Sequence, residues 1–282
     1  LFFMYNPNMR TDDIAKSQPS SQYLIDSKNN ATGLSCRFTG AEIDGFNLNV
    51  TGNIGSEDII KHEYAKSDVV FSRASALFLE RHDLTTNNYY YNIKNVNINI
   101  GGSVLAHSHS HYAHALGLGY NIGHVKVSDY NLKVGKDIKA YADGESVVTI
   151  PSYLHDGNTA SGIAKDLVHV EKTKIDVGGS ILAISDSTYG MHNLAFGIGQ
   201  YCYQTAFSSA QAPENDPLTI DNVTINIAKD VRAETNKKAR ETRDGVRFYV
   251  AAIGGFANNM EGGLDNNEHF IGNKIAIKGD IV

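Results

Sequence analysis

The stretch VNINIGGSVLA, residues 96–106, decides the fold. Apolar and polar residues alternate over its first five positions, two glycines interrupt the pattern, and a second apolar run follows. Alternation with a period of two is typical of a β-strand with one buried face. The pattern recurs in FNLNVTGNIGS (46–56), YNLKVGKDIKA (130–140), TKIDVGGSILA (173–183), VTINIAKDVRA (223–233) and NKIAIKGDIV (273–282). From Val50 to Ile277, equivalent residues are 50, 34, 43, 50 and 50 positions apart. The sequence therefore predicts six repeated β units.

A two-residue corner is expected just before each of these strands. An apolar residue stands five positions before the centre of the strand, as Ile43 does before Leu48, whereas in the last repeat Ile271 stands four before Ile275. The intervening pairs are Asp44-Gly45, Lys94-Asn95, Ser128-Asp129, Glu171-Lys172 and Asp221-Asn222. Gly, Asn and Asp tolerate the left-handed backbone conformation, so the second residue of each pair is predicted to turn the chain. Lys172 departs from this rule.

A third segment resembling Ala-x-Gly follows in most repeats. It is present as Ala115-Leu116-Gly117-Leu118-Gly119, Ala160-Ser161-Gly162-Ile163-Ala164, Ala195-Phe196-Gly197-Ile198-Gly199 and Ala251-Ala252-Ile253-Gly254-Gly255, with Ala76-Leu77-Phe78-Leu79 as a degenerate copy. Each repeat then holds three or four short strands. Such a unit cannot bury its apolar face alone, but it forms a continuous core when it stacks on its neighbours.

The predicted fold is an all-β parallel β-helix, a solenoid of about six irregular coils with loop insertions. It covers residues 41–282, and residues 1–40 form an irregular N-terminal segment or a preceding coil. A β-sandwich would require hairpins at intervals of about 8–12 residues, and the sequence shows no such series. Because the pattern stops in mid-repeat at Val282, we expect a fragment whose β-helix continues further.

Polar residues of the repeats are expected to form ladders along the stack. Asn97, Asn99, Asn131 and Asn226 alternate with the apolar residues and should point outward. Equivalent positions after the first strand carry Asp137, Asp230 and Asp280, and in the other repeats Asn53, Ser103 and Ser180. Short polar side chains at turns hydrogen-bond to the backbone, so this second set predicts a ladder that caps backbone groups.

Charge and composition exclude several classes of function. The 282 residues include 25 basic and 31 acidic ones, for a net charge of −6, and no basic block indicates nucleic-acid binding. No apolar run approaches the roughly 20 residues that span a bilayer, so we expect no membrane insertion of this segment. Two distant cysteines, Cys36 and Cys202, argue against a disulfide framework or a zinc cluster. No cofactor is expected.

Two of the repeat units resemble those of a known family. The sequences INIGGSVLA (98–106) and IDVGGSILA (175–183), each followed by an Ala-x-Gly strand, are similar to the rungs of passenger domains of bacterial type V autotransporters. The resemblance implies a right-handed parallel β-helix that is secreted and displayed at the cell surface. It also implies adhesion or self-association. We expect the partner to be a host or bacterial surface ligand, either glycan or protein, or another copy of the chain, and we expect no enzymatic activity because the catalytic signatures considered below are missing.

A histidine-rich stretch, LAHSHSHYAHALGLGY (105–120), is the candidate metal site. In an extended strand, His107, His109 and His111 face the same way, and neutral imidazoles so arranged can chelate zinc, copper or nickel. Aligned repeats place Ile184 and Asp186 opposite His107 and His109, and no acidic residue lies within the stretch to orient the rings. A polar surface loop is the alternative interpretation.

Tyrosines form the candidate binding residues. Tyr89, Tyr90 and Tyr91 are consecutive, and Tyr201 and Tyr203 flank Cys202 in a long insertion, 200–217. Exposed tyrosines offer contact area and a hydroxyl at low entropic cost, although alternate ones could equally be buried in the stack. The insertion and the segment 57–90 are predicted to carry the binding surface.

Two further functions remain open: a polysaccharide-active hydrolase or lyase and a phage tailspike-like trimer. Glycosidases need two carboxylates roughly 5–9.5 Å apart, and alternation places only Asp176 beside Asn99, Lys133 and Asn226. Asp166, His169 and Glu171 also alternate on one strand. No nucleophile elbow and no polygalacturonase-like signature is present, which argues against an enzyme.

Overall fold

A computed structural model describes residues 28–37, 42–57, 71–80, 90–108, 112–120, 124–143, 158–163, 167–186, 192–201, 219–235, 247–255 and 269–282. Every regular element in these ranges is a β-strand, and the strands form three parallel sheets. The first sheet has ten strands: β2 (Glu42–Asp44), β3 (Asn47–Val50), β6 (Tyr90–Ile100), β9 (His124–Val134), β12 (Leu167–Glu171), β13 (Lys174–Val177), β16 (Thr219–Asp221), β17 (Thr224–Ile227), β20 (His269–Ile271) and β21 (Lys274–Ile277). The second has five: β4 (Ile54–Glu57), β7 (Val104–Ser108), β10 (Ile138–Ala142), β14 (Ile181–Ser185) and β18 (Val231–Thr235). The third has six: β1 (Lys28–Arg37), β5 (Phe71–Glu80), β8 (Tyr112–Tyr120), β11 (Asn158–Ser161), β15 (His192–Tyr201) and β19 (Arg247–Gly255).

The chain visits the three sheets in rotation. From β2 onward, each repeat contributes one or two strands to the first sheet, then one to the second and one to the third. Each strand pairs in parallel with its counterparts in the neighbouring repeats. This all-β, parallel rotation is consistent with a solenoid.

Strand register in the first sheet follows the sequence repeat. Val50 pairs with Ile100, Ile100 with Val134, Val134 with Val177, Val177 with Ile227, and Ile227 with Ile277. The predicted alignment of the six strands is therefore confirmed. Because the period of a strand is two, this register sends the apolar residues of all six strands to the same side.

The corners are also confirmed, with one correction. Backbone φ is positive at the second residue of every pair: Gly45 (85°), Asn95 (54°), Asp129 (49°), Lys172 (44°), Asn222 (55°) and Gly272 (70°). In the last repeat, however, Phe270 pairs with Ile220, so Phe270 and not Ile271 takes the repeated apolar position five before Ile275. Ile271 begins the sixth corner pair and is 61% exposed.

The capping ladder between the first and second sheets is continuous. In each repeat one side-chain oxygen accepts a hydrogen bond from the backbone N–H of the equivalent residue in the next repeat. The donor nitrogens and acceptors are Ser103 to Asn53 (2.8 Å), Asp137 to Ser103 (3.2 Å), Ser180 to Asp137 (2.8 Å), Asp230 to Ser180 (3.3 Å) and Asp280 to Asp230 (2.9 Å). These turns are therefore tied along the stack by side chains as well as by the backbone.

Register in the third sheet corrects two sequence alignments. Ala115, Ala160 and Ala195 pair as expected. Ala115 pairs on its other side with Ala74, not with Ala76, and Ala195 pairs with Val250, not with Ala251. The third sheet also extends to β1, where Ala31-Thr32-Gly33 continues the Ala-x-Gly row. Part of the segment 1–40, and β5 within the segment 57–90, therefore belong to the repeating architecture.

One apolar core joins the three sheets. Small residues of the third sheet let it approach the first closely. A Cβ built on Gly117 would overlap the side chain of Leu132, and one on Gly33 would overlap Leu48 and the carbonyl oxygen of Ala76. The Ala-x-Gly pattern is thus a packing requirement: a larger residue there would force the two sheets apart.

Candidate functional sites

The outer face of the second sheet carries a cluster of ionisable residues, here named the second-sheet cluster: Glu57, His107, Tyr141, Asp143 and Asp186. Glu57, His107 and Tyr141 are in register on β4, β7 and β10. Asp143 and Asp186 each follow the last residue of β10 and β14, and the backbone N–H of Asp186 donates to the carbonyl of Ala142. The cluster therefore spans four consecutive repeats.

His107 stands between two carboxylates. Its Nδ1 lies 3.2 Å from Oε1 of Glu57 and its Nε2 lies 3.1 Å from Oδ2 of Asp143. The imidazole also contacts the ring of Tyr141, with centroids 4.9 Å apart. The acidic partners that are absent from the histidine stretch itself are supplied by the neighbouring repeats on either side.

Tyr141 joins His107 to Asp186, the third carboxylate of the cluster. Its hydroxyl donates to Oδ2 of Asp186 over 2.7 Å. This hydrogen bond, followed by partial burial and by the negative charges of Asp186 and Asp143, raises the pKa of Tyr141 to about 12. Oδ1 of Asp186 is buried and accepts no hydrogen bond from the described part of the chain. The phenol is therefore a fixed neutral donor facing two carboxylates.

Only part of the predicted metal site can be placed. His107 lies in β7, whereas His109 and His111 are outside the described residues. Within the described ranges, no group of three His, Cys, Asp or Glu side chains is arranged to hold a metal ion. A site formed by His107, His109 and His111 stays a prediction.

The predicted tyrosine surface is distributed over different sheets. Tyr90 and Tyr91 open β6 in the first sheet, and Tyr201 ends β15 in the third. Tyr89 and Tyr203 lie outside the described residues, as do 202–217 of the long insertion. The structure does not bring Tyr90 and Tyr91 onto the same sheet as Tyr201.

Amide side chains form ladders on the exposed face of the first sheet, as predicted. Nδ2 of Asn97 donates to Oδ1 of Asn47 (3.2 Å), and Nδ2 of Asn131 donates to Oδ1 of Asn97 (3.0 Å). A parallel row joins Asn99 to Asn49 at 3.5 Å. Neighbouring repeats thus present the same polar groups at the same place along the stack.

Asp176 is held in the same face by three neighbours. Nδ2 of Asn226 donates to its Oδ1, and Nζ of Lys174 lies close to its Oδ2, each at 2.7 Å. Partial burial acts to raise the pKa of Asp176, but the hydrogen bonds from Lys174 and Asn226, with the charges of Lys174 and Lys133, outweigh it and lower the pKa. Asp176 is therefore an ionised carboxylate whose charge is compensated.

Two of the three residues predicted to face outward together, Asp166, His169 and Glu171, lie in the described part of the chain and contact each other. Nε2 of His169 lies 3.0 Å from Oε1 of Glu171 on β12, and Asp166 is outside the described residues. This pair is 26% and 35% exposed and lies next to a corner of the first sheet.

Sequence reasoning missed the second-sheet cluster because it compared too few repeats. The sequence alignment compares the histidine stretch with 183–189, two repeats away, where the residue equivalent to His107 is Ile184. Alignment with the adjacent repeats would have found the partners, since Glu57, His107 and Tyr141 are separated by the repeat spacings of 50 and 34 residues.

Comparison with protein-family models, curated proteins and solved structures finds no match. None of the described elements is a helix long and apolar enough to cross a membrane.

Proposed function

We propose that this protein is a non-enzymatic β-helix displayed at a bacterial cell surface, similar to the passenger domains of type V autotransporters. In this proposal the three sheets close into a right-handed parallel β-helix. The protein acts as an adhesin, binding a glycan or protein of a host or bacterial surface, or acts by self-association.

The observation that carries this proposal is the repeated amide surface of the first sheet. Asn47, Asn97 and Asn131 place identical side chains on three successive repeats, about 4.8 Å apart. A periodic and exposed array suits an extended partner, or another copy of the same chain, better than a single small substrate. Solenoid folds use such long lateral faces for binding.

The test combines location with binding. Surface display predicts that an antibody against the protein labels intact cells of the source organism and that external protease removes the label. Beads coated with the protein should bind those cells, or each other. The variant Asn97→Ala/Asn99→Ala/Asn131→Ala is expected to reduce binding about tenfold. A variant of the second sheet, Lys139→Ala/Arg232→Ala, is the control and should bind normally.

Labelling only after the cells are opened would contradict surface display. Equal binding by the amide variant and the control would contradict the role of the amide array. Light scattering separates the tailspike-like alternative, because that alternative requires a stable trimer.

A second candidate, hydrolysis of a polysaccharide, is favoured by the second-sheet cluster. Asp143 and Asp186 stand at equivalent positions of adjacent repeats, whose strands lie about 4.8 Å apart. Retaining glycosidases use two carboxyl groups about 5–5.5 Å apart, one as proton donor and one as nucleophile. His107 and Tyr141 hold this pair from either side.

This candidate predicts that the protein releases reducing sugar from a polysaccharide in a panel of substrates. Asp143→Asn and Asp186→Asn should each abolish release, and Asp129→Asn, at an exposed corner, should not. Absence of release from every substrate, or release by both cluster variants, would remove hydrolysis from consideration.

A further inference from the structure

A surface groove of about 380 Å³ runs along the first sheet over four repeats. One side is the outward row of the strands: Lys133, Asp176, Asn226 and Ala276. The floor is the next outward row, which carries the small residues Gly135, Gly178 and Ala228 and ends at Lys278. The groove is therefore parallel to the direction in which the repeats stack.

Stacking itself keeps this groove open. A Cβ on Gly135 would overlap the carbonyl oxygen of Gly101, and one on Gly178 would overlap the carbonyl oxygen of Gly135. A larger residue at either position would push adjacent repeats apart, so the floor consists largely of exposed backbone. The depression follows from the architecture and does not depend on the rotamer of a flexible side chain.

The groove is positively charged although the chain carries a net charge of −6. Asp176, the one carboxylate among the described residues that line the groove, is compensated by Lys174, by Asn226 and in part by the charge of Lys133. Lys133 and Lys278 are exposed, and among the described residues neither has a carboxylate within ion-pair distance. Two cationic groups are thus available to a ligand at the two ends of the groove.

We propose that this groove binds a linear, carboxylate-bearing polysaccharide, with Lys133 and Lys278 pairing with acidic sugars and Asn226 hydrogen-bonding to hydroxyl groups. This inference rests on the proposed function and names the chemistry of its ligand. Three strand spacings separate the two lysines, about 14 Å along the stack, which requires an extended polymer. No aromatic residue of the described part of the chain lines the groove to stack on bases, and this favours an acidic glycan over single-stranded nucleic acid.

The test measures binding of a fluorescent oligogalacturonate, a chain of acidic sugars, by anisotropy. The purified 282-residue chain is expected to bind it in dilute salt, to lose affinity as salt is raised, and to bind dextran, a neutral glucan, at least tenfold more weakly. Lys133→Ala/Lys278→Ala should weaken binding about tenfold or more. Ala228→Leu should weaken it too, because it fills the floor without altering any charge.

Lys172→Asn is the control, because it removes one lysine charge at a corner that does not line the groove, and it should bind like the unaltered protein. If Lys172→Asn and the double lysine variant lose equal affinity for the oligogalacturonate, binding depends on the net charge of the chain and not on the groove, and the proposal is overturned. Retained affinity in Ala228→Leu, or equal affinity for a single-stranded DNA of the same charge, would also overturn it. If no acidic glycan binds while the coated beads still adhere to cells, the groove assignment fails and the adhesin function stands.

Discussion

A single backbone angle recurs at each of the six corners of the first sheet. The residue with positive φ is Gly, Asn or Asp in five of them and Lys172 in the fourth along the chain. Side chains with a Cβ pay about 1–2 kcal/mol in the left-handed region, and Asn and Asp lower that cost by local hydrogen bonding. Lys172 adopts the left-handed conformation because its corner is hydrogen-bonded to the corner of the next repeat. Its backbone N–H donates to the carbonyl of Asp221 at 3.0 Å.

Lys172→Asn is therefore expected to stabilise the protein by about 1 kcal/mol. The lysine side chain is exposed, so its removal breaks no buried contact. The reverse exchange at the next corner, Asn222→Lys, should destabilise by a similar amount. Urea unfolding followed by circular dichroism measures both, and a loss of stability in Lys172→Asn would contradict the account of the corner.

Tyr141 gives a prediction for alkaline pH. Its pKa of about 12 in the folded protein exceeds the value of about 10 for an unfolded chain. The folded state therefore favours the neutral phenol, and the stabilisation is complete below about pH 10 and is lost as the pH rises towards about 12. The difference in tyrosinate absorbance between the unaltered protein and Tyr141→Phe should titrate near pH 12, and Asp186→Asn should lower that midpoint. A difference that titrates near pH 10 would contradict the hydrogen bond.

Between the first and second sheets, the identity of one residue dictates that of its neighbour in the next repeat. Asn53, Asp137 and Asp230 each accept a hydrogen bond from a ladder residue of the next repeat that is preceded by glycine. These glycines are Gly102, Gly179 and Gly279. Where the accepting residue is Ser103 or Ser180, the residue before its partner in the next repeat is a lysine, Lys136 or Lys229. A Cβ on any of those three glycines would overlap the Oδ1 of the preceding Asn or Asp. Serine is shorter and leaves room for a side chain.

This coupling can be tested with a double-mutant cycle at the fourth repeat. Gly179→Ala alone should destabilise by about 1–3 kcal/mol because a Cβ there overlaps Oδ1 of Asp137 and, less severely, the backbone of Lys136. In an Asp137→Ser background the same change should cost less, with a coupling energy of about 1 kcal/mol or more. Gly55→Ala is the control, because a Cβ there meets only the carbonyl oxygen of Leu105 at 3.9 Å. Strict additivity of Gly179→Ala and Asp137→Ser would show that the two sites act independently.

The sequence predicts the elements whose pattern repeats strongly, and it predicts less well the features that depend on contacts with a neighbouring repeat. Alternation and turn chemistry are local, so the register of the first sheet and the position of its corners followed from the sequence. In the third sheet Ala, Gly and Ser occur at many neighbouring positions, so the pattern alone does not fix the register. The sequence alignment places Ala76 opposite Ala115, whereas the structure pairs Ala115 with Ala74. The second-sheet cluster depends on contacts across three repeat boundaries. Its residues are far apart in the sequence, so no local pattern predicts that they lie together.

At the scale of the whole molecule, burial is produced by neighbours on both sides. The same row of the first sheet contains Leu48, Ile98, Leu132, Ile175, Ile225 and Ile275. Its first five members are 0–7% exposed, and Ile275, in the sixth repeat, is 45% exposed. All six residues are apolar and have the same strand register, so the contrast reflects what packs against each of them. Leu48, at the other end of the row, lies against β1, where a Cβ on Gly33 would overlap its side chain. Stability in such an array is approximately the sum of the repeats and their nearest-neighbour interfaces.

This view predicts a position-dependent cost for one and the same substitution. Ile175→Ala removes packing with two neighbouring repeats and should destabilise the chain by about 2–5 kcal/mol, the usual range for a fully buried isoleucine. Ile275→Ala, in this 282-residue chain, removes contacts on one side only and should cost about 1 kcal/mol. Ile225→Ala is the matched control, because this residue is as buried as Ile175 and should cost a similar amount. Urea unfolding curves give all three values. Equal costs at Ile175 and Ile275 would mean that the apolar stack is held by forces within each repeat, and the neighbour-based account of the core would then be wrong.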